Sequence, residues 1–433
     1  MSKGRPVYVV DGARTPFLKA RGQTGPFSAA DLAVAAARPI FARQAFVPEE
    51  VNEVIVGCVI PAPDEANIAR IIALRLGCGE RVPAYTVQRN CASGLQALAS
   101  ARERIALGYA DLILAGGTEV MSRAPIQWNA AMVNWLAGLM RARNPVARIK
   151  NIAALRPALL KPVFTLLLGL SDPLVKLSMG QTAEIMADRF GITRDEQDAF
   201  ALQSHQRLAA AFDGGVMDEE VEILFDAAGR FYKEDDGMRR DSSLEKLAKL
   251  RPVFDRKYGS VTSANSSQIT DGSAMLVLAS EEAVKQHNLT IMGELVDHEW
   301  AGVDPRQMGL GPVHAVAGLM QRNDLTMQNV DHMELNEAFA AQVLGCQRAW
   351  DSADYARNEL AMDKPLGSMD MNKLNPQGGA IACGHPIGAT GARIVLHTLL
   401  ALRRQGGGTG IATLCIGGGQ GGAMLVKVQG GVA

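Results

Sequence analysis

The feature that most narrows the fold of this chain is an order of segments that occurs twice. Near the start, the short apolar run "PVYVVDG" is followed by the helix-like "SAADLAVAAARPIFARQA". Then "VNEVIVGCVI" leads to "NIARIIALRLG", and "AYTVQRN" leads to a helical pattern beginning near Cys91 and on to "ADLILAGGTEV". Strands alternating with amphipathic helices predict a layered α/β domain. The C-terminal third repeats the arrangement, from "HMELNEAFAAQVLGCQRAW" through "CGHPIGATGARIVLHTLLALRRQGGG" to the strand-like "GIATLCIGGG" and "GGAMLVKVQ". In each half a helix with a special residue at its start ends in glycine and feeds an apolar strand and a Gly-Gly turn. The chain therefore reads as a duplicated α/β unit with two similar halves.

At 433 residues it is too long for one ordinary core, so two or three domains are expected. With 48% hydrophobic residues and a net charge of −1, neither wholesale disorder nor a chain-wide nucleic-acid surface fits. Six cysteines without a C-x-x-C pair argue against a zinc cage or a disulfide framework, and no metal is expected. The N-terminal residues pass directly into the strand-like run Val7 to Val10 with no apolar signal segment, which leads us to expect a cytoplasmic protein. The apolar run Val163 to Leu170 is too short to span a bilayer.

Between the halves the composition changes. From Ser122 to Ser178 stand Arg123, Arg141, Arg143, Arg148, Lys150, Arg156, Lys161 and Lys176, and the only acid is Asp172. Met132, Trp135, Leu136, Leu139 and Met140 form an amphipathic stripe within this basic segment. Two readings stand side by side: a helical excursion packed on its parent domain, and an interfacial surface for a membrane or partner.

Four places carry side chains capable of chemistry. Leu95, Leu98 and Ile105 recur at helical spacing and Gly108 is a plausible stop, which puts Cys91 at the first turn. Free N–H groups and the helix dipole favour a thiolate there. "LNEAFAAQ" holds Asn336, Glu337 and Phe339; "IACGHPIGATGAR" holds Cys383 and His385; "ATLCIGGGQGG" holds Cys415 against a glycine run. Gly417 to Gly422 matches G-x-G-x-x-G in form. Too little chain follows it for the βαβ unit of a dinucleotide site, and we reject that reading. Together, two cysteines and a histidine among glycines supply a nucleophile, a base and a second acid/base, with backbone N–H groups free to face a site.

In these blocks the chain resembles the thiolases. "NCASGLQA", "NEAFA", "GHPIGATGAR" and "CIGGGQG" look like their signature segments, and "VDGARTPF", "MGQTAE" and "RPVFDRKYGSVTSANSSQITDG" match in order along the whole chain. The resemblance implies an α/β thiolase fold: two similar half-domains with mixed sheets in an αβαβα arrangement, plus an inserted loop domain. The implied boundaries are 1–121 with 262–285 for the N-terminal half, 122–261 for the loop domain and 286–433 for the C-terminal half. It implies that Cys91 is the acylated nucleophile, His385 its base and Cys415 the second acid/base. Asn336 would hold a water in one oxyanion hole, and the N–H groups of Cys91 and Gly417 would form another. Ser267, Met179, Phe339, Phe254 and Arg239 would contact coenzyme A or the acyl group. Coenzyme A enters as substrate, with no permanently bound cofactor.

The resemblance further implies acyl-CoA and CoA as partners and a homodimer or dimer of dimers. The insertion is similar to the longer loop of thiolase subunits from fatty-acid oxidation complexes. This makes a hydratase/dehydrogenase subunit and a peripheral membrane contact through 122–178 candidate partners. One departure counts against an acetyl-CoA-specific pocket: Ser178 stands where many biosynthetic thiolases carry histidine before "MG". The expected activity is thiolysis of 3-oxoacyl-CoA in fatty-acid β-oxidation. The rivals are an acetyl-CoA C-acetyltransferase acting on acetoacetyl-CoA and a thiolase-like lipid carrier or scaffold. A decarboxylating ketosynthase fits less well, since that class usually has a second histidine where Cys415 stands.

Overall fold

The structure, a computed structural model, describes residues 4–430. The N-terminal half runs β1 (Tyr8–Arg14), α1 (Ala29–Arg43), β2 (Glu53–Gly57), α2 (Ile68–Leu76), β3 (Ala84–Val87), α3 (Ser93–Ala106) and β4 (Leu112–Val120). A long excursion follows, which includes α4 (Ala130–Arg141), α5 (Pro145–Ala153), α6 (Met179–Arg189) and α7 (Arg194–Asp213). The chain then returns as β5 (Thr270–Ala279). The C-terminal half runs β6 (Gly293–Gly302), α8 (Gly311–Arg322), β7 (His332–Leu335), α9 (Ala340–Asp351), α10 (Thr390–Arg404), β8 (Gly408–Ile416) and β9 (Gln420–Val428).

Strand pairing repeats between the halves. β1–β5 and β5–β4 are antiparallel, and β4–β2 and β2–β3 are parallel. In the second half β6–β9 and β9–β8 are antiparallel and β8–β7 is parallel. The counterpart of β3 is reduced to one bridge, Met333 with Leu374. The two mixed sheets meet edge to edge where Tyr8 and Val9 pair with Glu294 and Gly293, so they form one continuous sheet. The excursion leaves between β4 and β5, the place where β8 and β9 are joined by a tight turn at Gly417–Gly419.

Alternation along the strands builds five layers. Ala274, Leu276 and Leu278 of β5 and Ala412, Leu414, Met424 and Val426 of β8 and β9 all face Leu95 and Leu98 of α3 and Ile394 and Leu399 of α10. The opposite parity, Met275 and Val277, packs on Leu32 of α1 and Ile72 of α2. Ile411 and Leu425 pack on Val313 of α8 and Val343 of α9. The order is αβαβα with α3 and α10 in the middle. Because every face of α10 meets protein, all of its residues from Thr390 to Leu402 are buried.

The starts of the two central helices approach at backbone distance. A Cβ at position 391 would lie 2.3 Å from the Leu95 nitrogen, and one at 94 would lie 2.8 Å from the Gly388 oxygen. Only glycine fits.

The excursion does not bury its apolar stripe uniformly. Met132 is buried and the Trp135 indole N–H donates to the Asn151 carbonyl at 2.7 Å, so α4 leans on α5. Met140 is 87% exposed, however, and Val133, Val146, Ile149 and Ile152 also face out. Asp172 is turned inward and accepts from the N–H groups of Leu174 and Val175, which leaves the outer face basic and apolar.

We expect Gly391→Ala to cost about 1–3 kcal/mol by overpacking, read from urea midpoints. Gly169→Ala, at a position with nothing within 4 Å, should stay within about 0.5 kcal/mol.

Candidate active site

Cys91 sits between β3 and α3, partly accessible, next to the fully buried Ala92 and Ser93. The turn that presents it is held in three ways. Asn90 adopts a left-handed φ of 45°. The Ser93 hydroxyl donates to the Asn90 carbonyl at 2.7 Å and accepts from the Arg89 N–H at 2.9 Å. The Asn90 amide donates to the Gly417 carbonyl at 2.8 Å, which ties the turn to the end of β8 in the other half. Gly417 in turn points its N–H at the Cys91 sulfur. Burial pushes the Cys91 thiol up, more than this N–H lowers it, and the negative charge of Glu119 adds to the rise. The helix start therefore does not leave a resting thiolate.

Cys415 lies on β8, with parity opposite to Leu414 and Ile416, and packs with Ala338, Phe339, Met179 and Phe254. Burial pushes its thiol well above the ordinary range, and charge on Cys91 pushes it further. The two sulfurs are thus close enough to share one electrostatic environment. The glycine run after Cys415 makes the β8–β9 turn, with Gly418 and Gly419 at φ of 91° and 79°. It holds no dinucleotide fingerprint.

His385 is buried in the loop before α10, with its backbone N–H on the Gln268 carbonyl at 3.0 Å. Its Nδ1 lies 2.7 Å from the Thr390 hydroxyl, and that hydroxyl donates its one proton to the Pro386 carbonyl at 3.1 Å. With its proton on Pro386 the Thr390 hydroxyl accepts from Nδ1–H, an arrangement that leaves the imidazole lone pair on Nε2. Nε2 is buried and has no hydrogen-bond partner among the described residues. Burial, reinforced by the positive charge of Arg393, lowers the imidazole to about 3. It is neutral at rest and able to accept a proton.

Asn336 follows β7, with its backbone N–H on the Thr413 carbonyl at 2.9 Å. Its carboxamide is buried, and neither polar atom has a partner among the described residues. Buried polar groups ordinarily have a hydrogen-bond partner, so this carboxamide has donor and acceptor capacity left open to a water or another oxygen. Its neighbour Glu337 is spoken for: it accepts from Ser204 at 2.6 Å, Asn375 at 2.9 Å and the Ile381 N–H at 3.2 Å.

Among the expected substrate contacts, Phe254 and Phe339 meet edge to face at 6.0 Å, and Phe254 covers Gly180. Met179 opens α6, its sulfur 3.5 Å from where a Cβ on Gly417 would sit. Ser267 is held beside them by its N–H on the Ala338 carbonyl at 2.9 Å. Ser178 caps α6, its hydroxyl accepting from the Gln181 N–H, so serine suits this position for a local reason. Arg239 is not brought to the sulfurs. It lines an open basin of about 630 Å³ of mixed charge, where Lys19, Arg21, Lys233 and Arg240 stand among Glu234, Asp235, Asp236 and Asp241. A chain of bonds links this basin to the histidine loop: the Gln268 amide donates to the Gly237 carbonyl at 2.8 Å, and the Gln268 carbonyl receives the His385 N–H.

Residue-type reasoning passed over Thr390, Asn90 and Gln268. Thr390 and Asn90 stand within five residues of His385 and Cys91, and Gln268 adjoins Ser267, which only the resemblance names; that proximity is the signal that could have found them.

The family model for the thiolase N-terminal domain matches residues 7–282, and that for the thiolase C-terminal domain matches residues 289–428. The chain belongs to the thiolase family. This thiolase is 38% identical over 429 residues to a 3-ketoacyl-CoA thiolase of Yersinia enterocolitica, covering 99% of this chain and 98% of that one. It superposes on human mitochondrial 3-ketoacyl-CoA thiolase with a TM-score of 0.84 at 35% identity, covering 98% of this chain and 99% of that one. A Bacillus anthracis acetyl-CoA acetyltransferase gives a TM-score of 0.81 at 34% identity, with 98% and 99% covered. No described helix of this thiolase is long and apolar enough to cross a membrane.

Thr390→Val frees the histidine tautomer. We expect kcat to fall at least about tenfold, part of the 10²–10⁴-fold that general acid–base catalysis contributes, with near-native thermal stability. The buried imidazole also sets a sign for pH. An unfolded histidine protonates near pH 6.5 and the folded His385 only near 3, so stability falls as pH drops through that window. Urea midpoints should show that slope, and His385→Asn should flatten it.

Proposed function

We infer that this thiolase cleaves 3-oxoacyl-CoA with coenzyme A, giving acetyl-CoA and a shortened acyl-CoA in fatty-acid β-oxidation. The single observation that carries the reading is the His385 arrangement, a neutral buried imidazole whose free Nε2 is fixed by Thr390, in a chain that also joins Cys91 to the Gly417 turn.

In our reading His385 takes the Cys91 proton as the sulfur attacks the 3-keto carbon. Carbon–carbon cleavage then expels an acetyl-CoA enolate. Its oxygen is stabilised by His385 and by a water held on Asn336, and Cys415 protonates its carbon. Cys415 next deprotonates incoming coenzyme A, whose thiolate attacks the acyl-Cys91 thioester. The N–H groups of Cys91 and Gly417 hold the oxyanion of that step. Each of two centres exchanges a proton, so two carriers are required. Acyl exchange between thiols is nearly balanced in energy, so the reaction is reversible and ping-pong.

Met179, Phe254 and Phe339 supply an apolar wall for the thioester, and Ser267 stands beside it. Lys19, Arg21 and Arg239 offer positive charge suited to the phosphates of coenzyme A. We divide the chain into half-domains at 1–121 with 262–285 and at 286–433, and assign 122–261 to the loop domain. Within it the exposed residues of α4 and α5 and the flanking arginines form a peripheral contact for anionic membrane. A hydratase/dehydrogenase subunit is the alternative occupant. We propose a cytoplasmic protein that assembles as a homodimer or dimer of dimers.

Cys91→Ala should abolish acyl transfer, and iodoacetamide should label Cys91 first, with acyl-CoA protecting it. Full loss of activity with label elsewhere contradicts the assignment. A rate profile across 3-ketoacyl-CoA chain lengths should favour substrates longer than acetoacetyl-CoA; a preference for acetoacetyl-CoA supports the acetyltransferase instead. Changing Arg141, Arg143 and Arg148 to Glu should weaken binding to anionic liposomes and leave turnover of short soluble substrates intact. Unchanged liposome binding removes the membrane contact.

A further inference from the structure

The two halves align without a gap from the start of their central helices to the end of the following strand. Cys91 corresponds to Gly388, Ser93 to Thr390, Gly94 to Gly391, Glu119 to Ile416 and Val120 to Gly417. Each helix start also docks on the other half's strand end. The turn at Cys91 meets Gly417 after β8, and Gly388 before α10 meets Thr118 and Glu119 of β4. The molecule thus contains a second, internally related copy of the site, with Gly388 in the place of the nucleophile.

That copy is filled. Glu119 is fully buried and its carboxylate accepts the N–H groups of Val59 at 2.9 Å and Ile60 at 3.0 Å, and that of Gly388. The thiol of Cys58 lies 3.7 Å away. Among the described residues no Lys, Arg or His forms an ion pair with it. A buried carboxylate held by neutral N–H groups alone is expensive, and this one lies between the loop after β2 and the loop that carries His385.

We propose that Glu119 is a positioning residue for the acyl-transfer reaction: its carboxylate stands in the duplicate site where the oxyanion stands at Cys91, anchors the His385 loop through Gly388, and places a negative charge behind the nucleophile. The Gly388 N–H that grips a carboxylate oxygen is the structural equivalent of the Cys91 N–H that would grip the acyl oxyanion. Gly388 lies between His385 and Thr390 in sequence, so its anchor fixes both the base and the group that orients it. The titratable groups facing Glu119 are Cys58, at the end of β2, and Cys91, at the start of α3. Burial, opposed by the N–H donors, lifts the Glu119 carboxyl to about 7. Its charge therefore changes near neutrality, and ionised Glu119 holds the Cys91 thiol in its protonated form until His385 removes the proton.

The inference rests on the acyl-transfer reading of Cys91, and one set of measurements separates the two. Wild-type enzyme is first tested for acylation of Cys91 by 3-ketoacyl-CoA; failure there overturns the acyl-transfer reading. With acylation established, the rate of Cys91 alkylation by iodoacetamide is followed from pH 5.5 to 9. The wild type should show an inflection near 7 below the main thiol titration. Glu119→Gln should remove that inflection, alkylate several-fold faster at pH 7.5, and lower kcat about tenfold with KM changed less than about twofold. Glu119→Asp keeps the charge and should restore the inflection. A folded Glu119→Gln enzyme with wild-type kcat overturns the proposal, and so does one whose kcat falls while its alkylation profile stays as in the wild type. If Glu119→Gln does not fold, a wild-type alkylation profile without an inflection between pH 6 and 8 overturns it.

Discussion

The whole arrangement depends on two helix starts touching through bare backbone. α3 and α10 meet where Gly94 faces the Gly388 carbonyl and Gly391 faces the Leu95 nitrogen. At that separation a methyl group has nowhere to go. The contact brings a loop from each half to one point, so that residues far apart in sequence share a site. The middle layer still carries buried polar side chains on α10, and its Arg393 and His397 are each matched by a carboxylate.

The electrostatics of that point are those of a dry site. Position at a helix start favours a thiolate, but desolvation acts on the same atom and wins at Cys91. The same burial keeps His385 unprotonated. Both groups are therefore neutral at rest, and in the proposed reaction charge appears only when a proton passes from Cys91 to His385. Away from the site, buried charge is handled by pairing. Arg14 contacts Glu220 at 2.6 Å and Asp235 at 2.8 Å, His397 contacts Glu220 at 2.8 Å, and Arg393 contacts Glu334 at 2.7 Å. Burial raises the Glu220 carboxyl, but His397 and Arg14 more than reverse it, leaving it below the ordinary carboxylate range. Because Glu220 and Asp235 belong to the excursion while Arg14 and His397 belong to the halves, this network clamps the excursion to the core.

Much of this was legible in the sequence, for identifiable reasons. The alternation of Val-rich and helical segments exposed the α/β layering, and the doubled helix–glycine–strand order exposed the repeat. The chemistry-bearing residues stood out because cysteine and histidine beside glycine are unusual. Other parts were hidden. The joining of the two sheets rests on a pairing of two residues, Tyr8 and Val9, which no periodicity records. The state of Cys91 depends on desolvation, a property of the surroundings. Thr390 reads as an ordinary helix residue until its one hydroxyl proton is traced to Pro386. The amphipathic stripe of the excursion was visible, but Met140 faces solvent because α5 covers only part of α4.

The gapless match between the halves makes each central helix a ruler for the other. One extra residue in α3 or α10 turns everything beyond it by about 100° and advances it about 1.5 Å. The strand end that receives the opposite helix start would then be offered a different atom. Length is thus constrained more tightly in these two helices than in the loops outside them. The β4–β5 connection feels no such metric, because both of its ends are fixed by neighbouring strands. That freedom accounts for an accessory region lodged there, while the related β8–β9 connection stays as short as a turn allows.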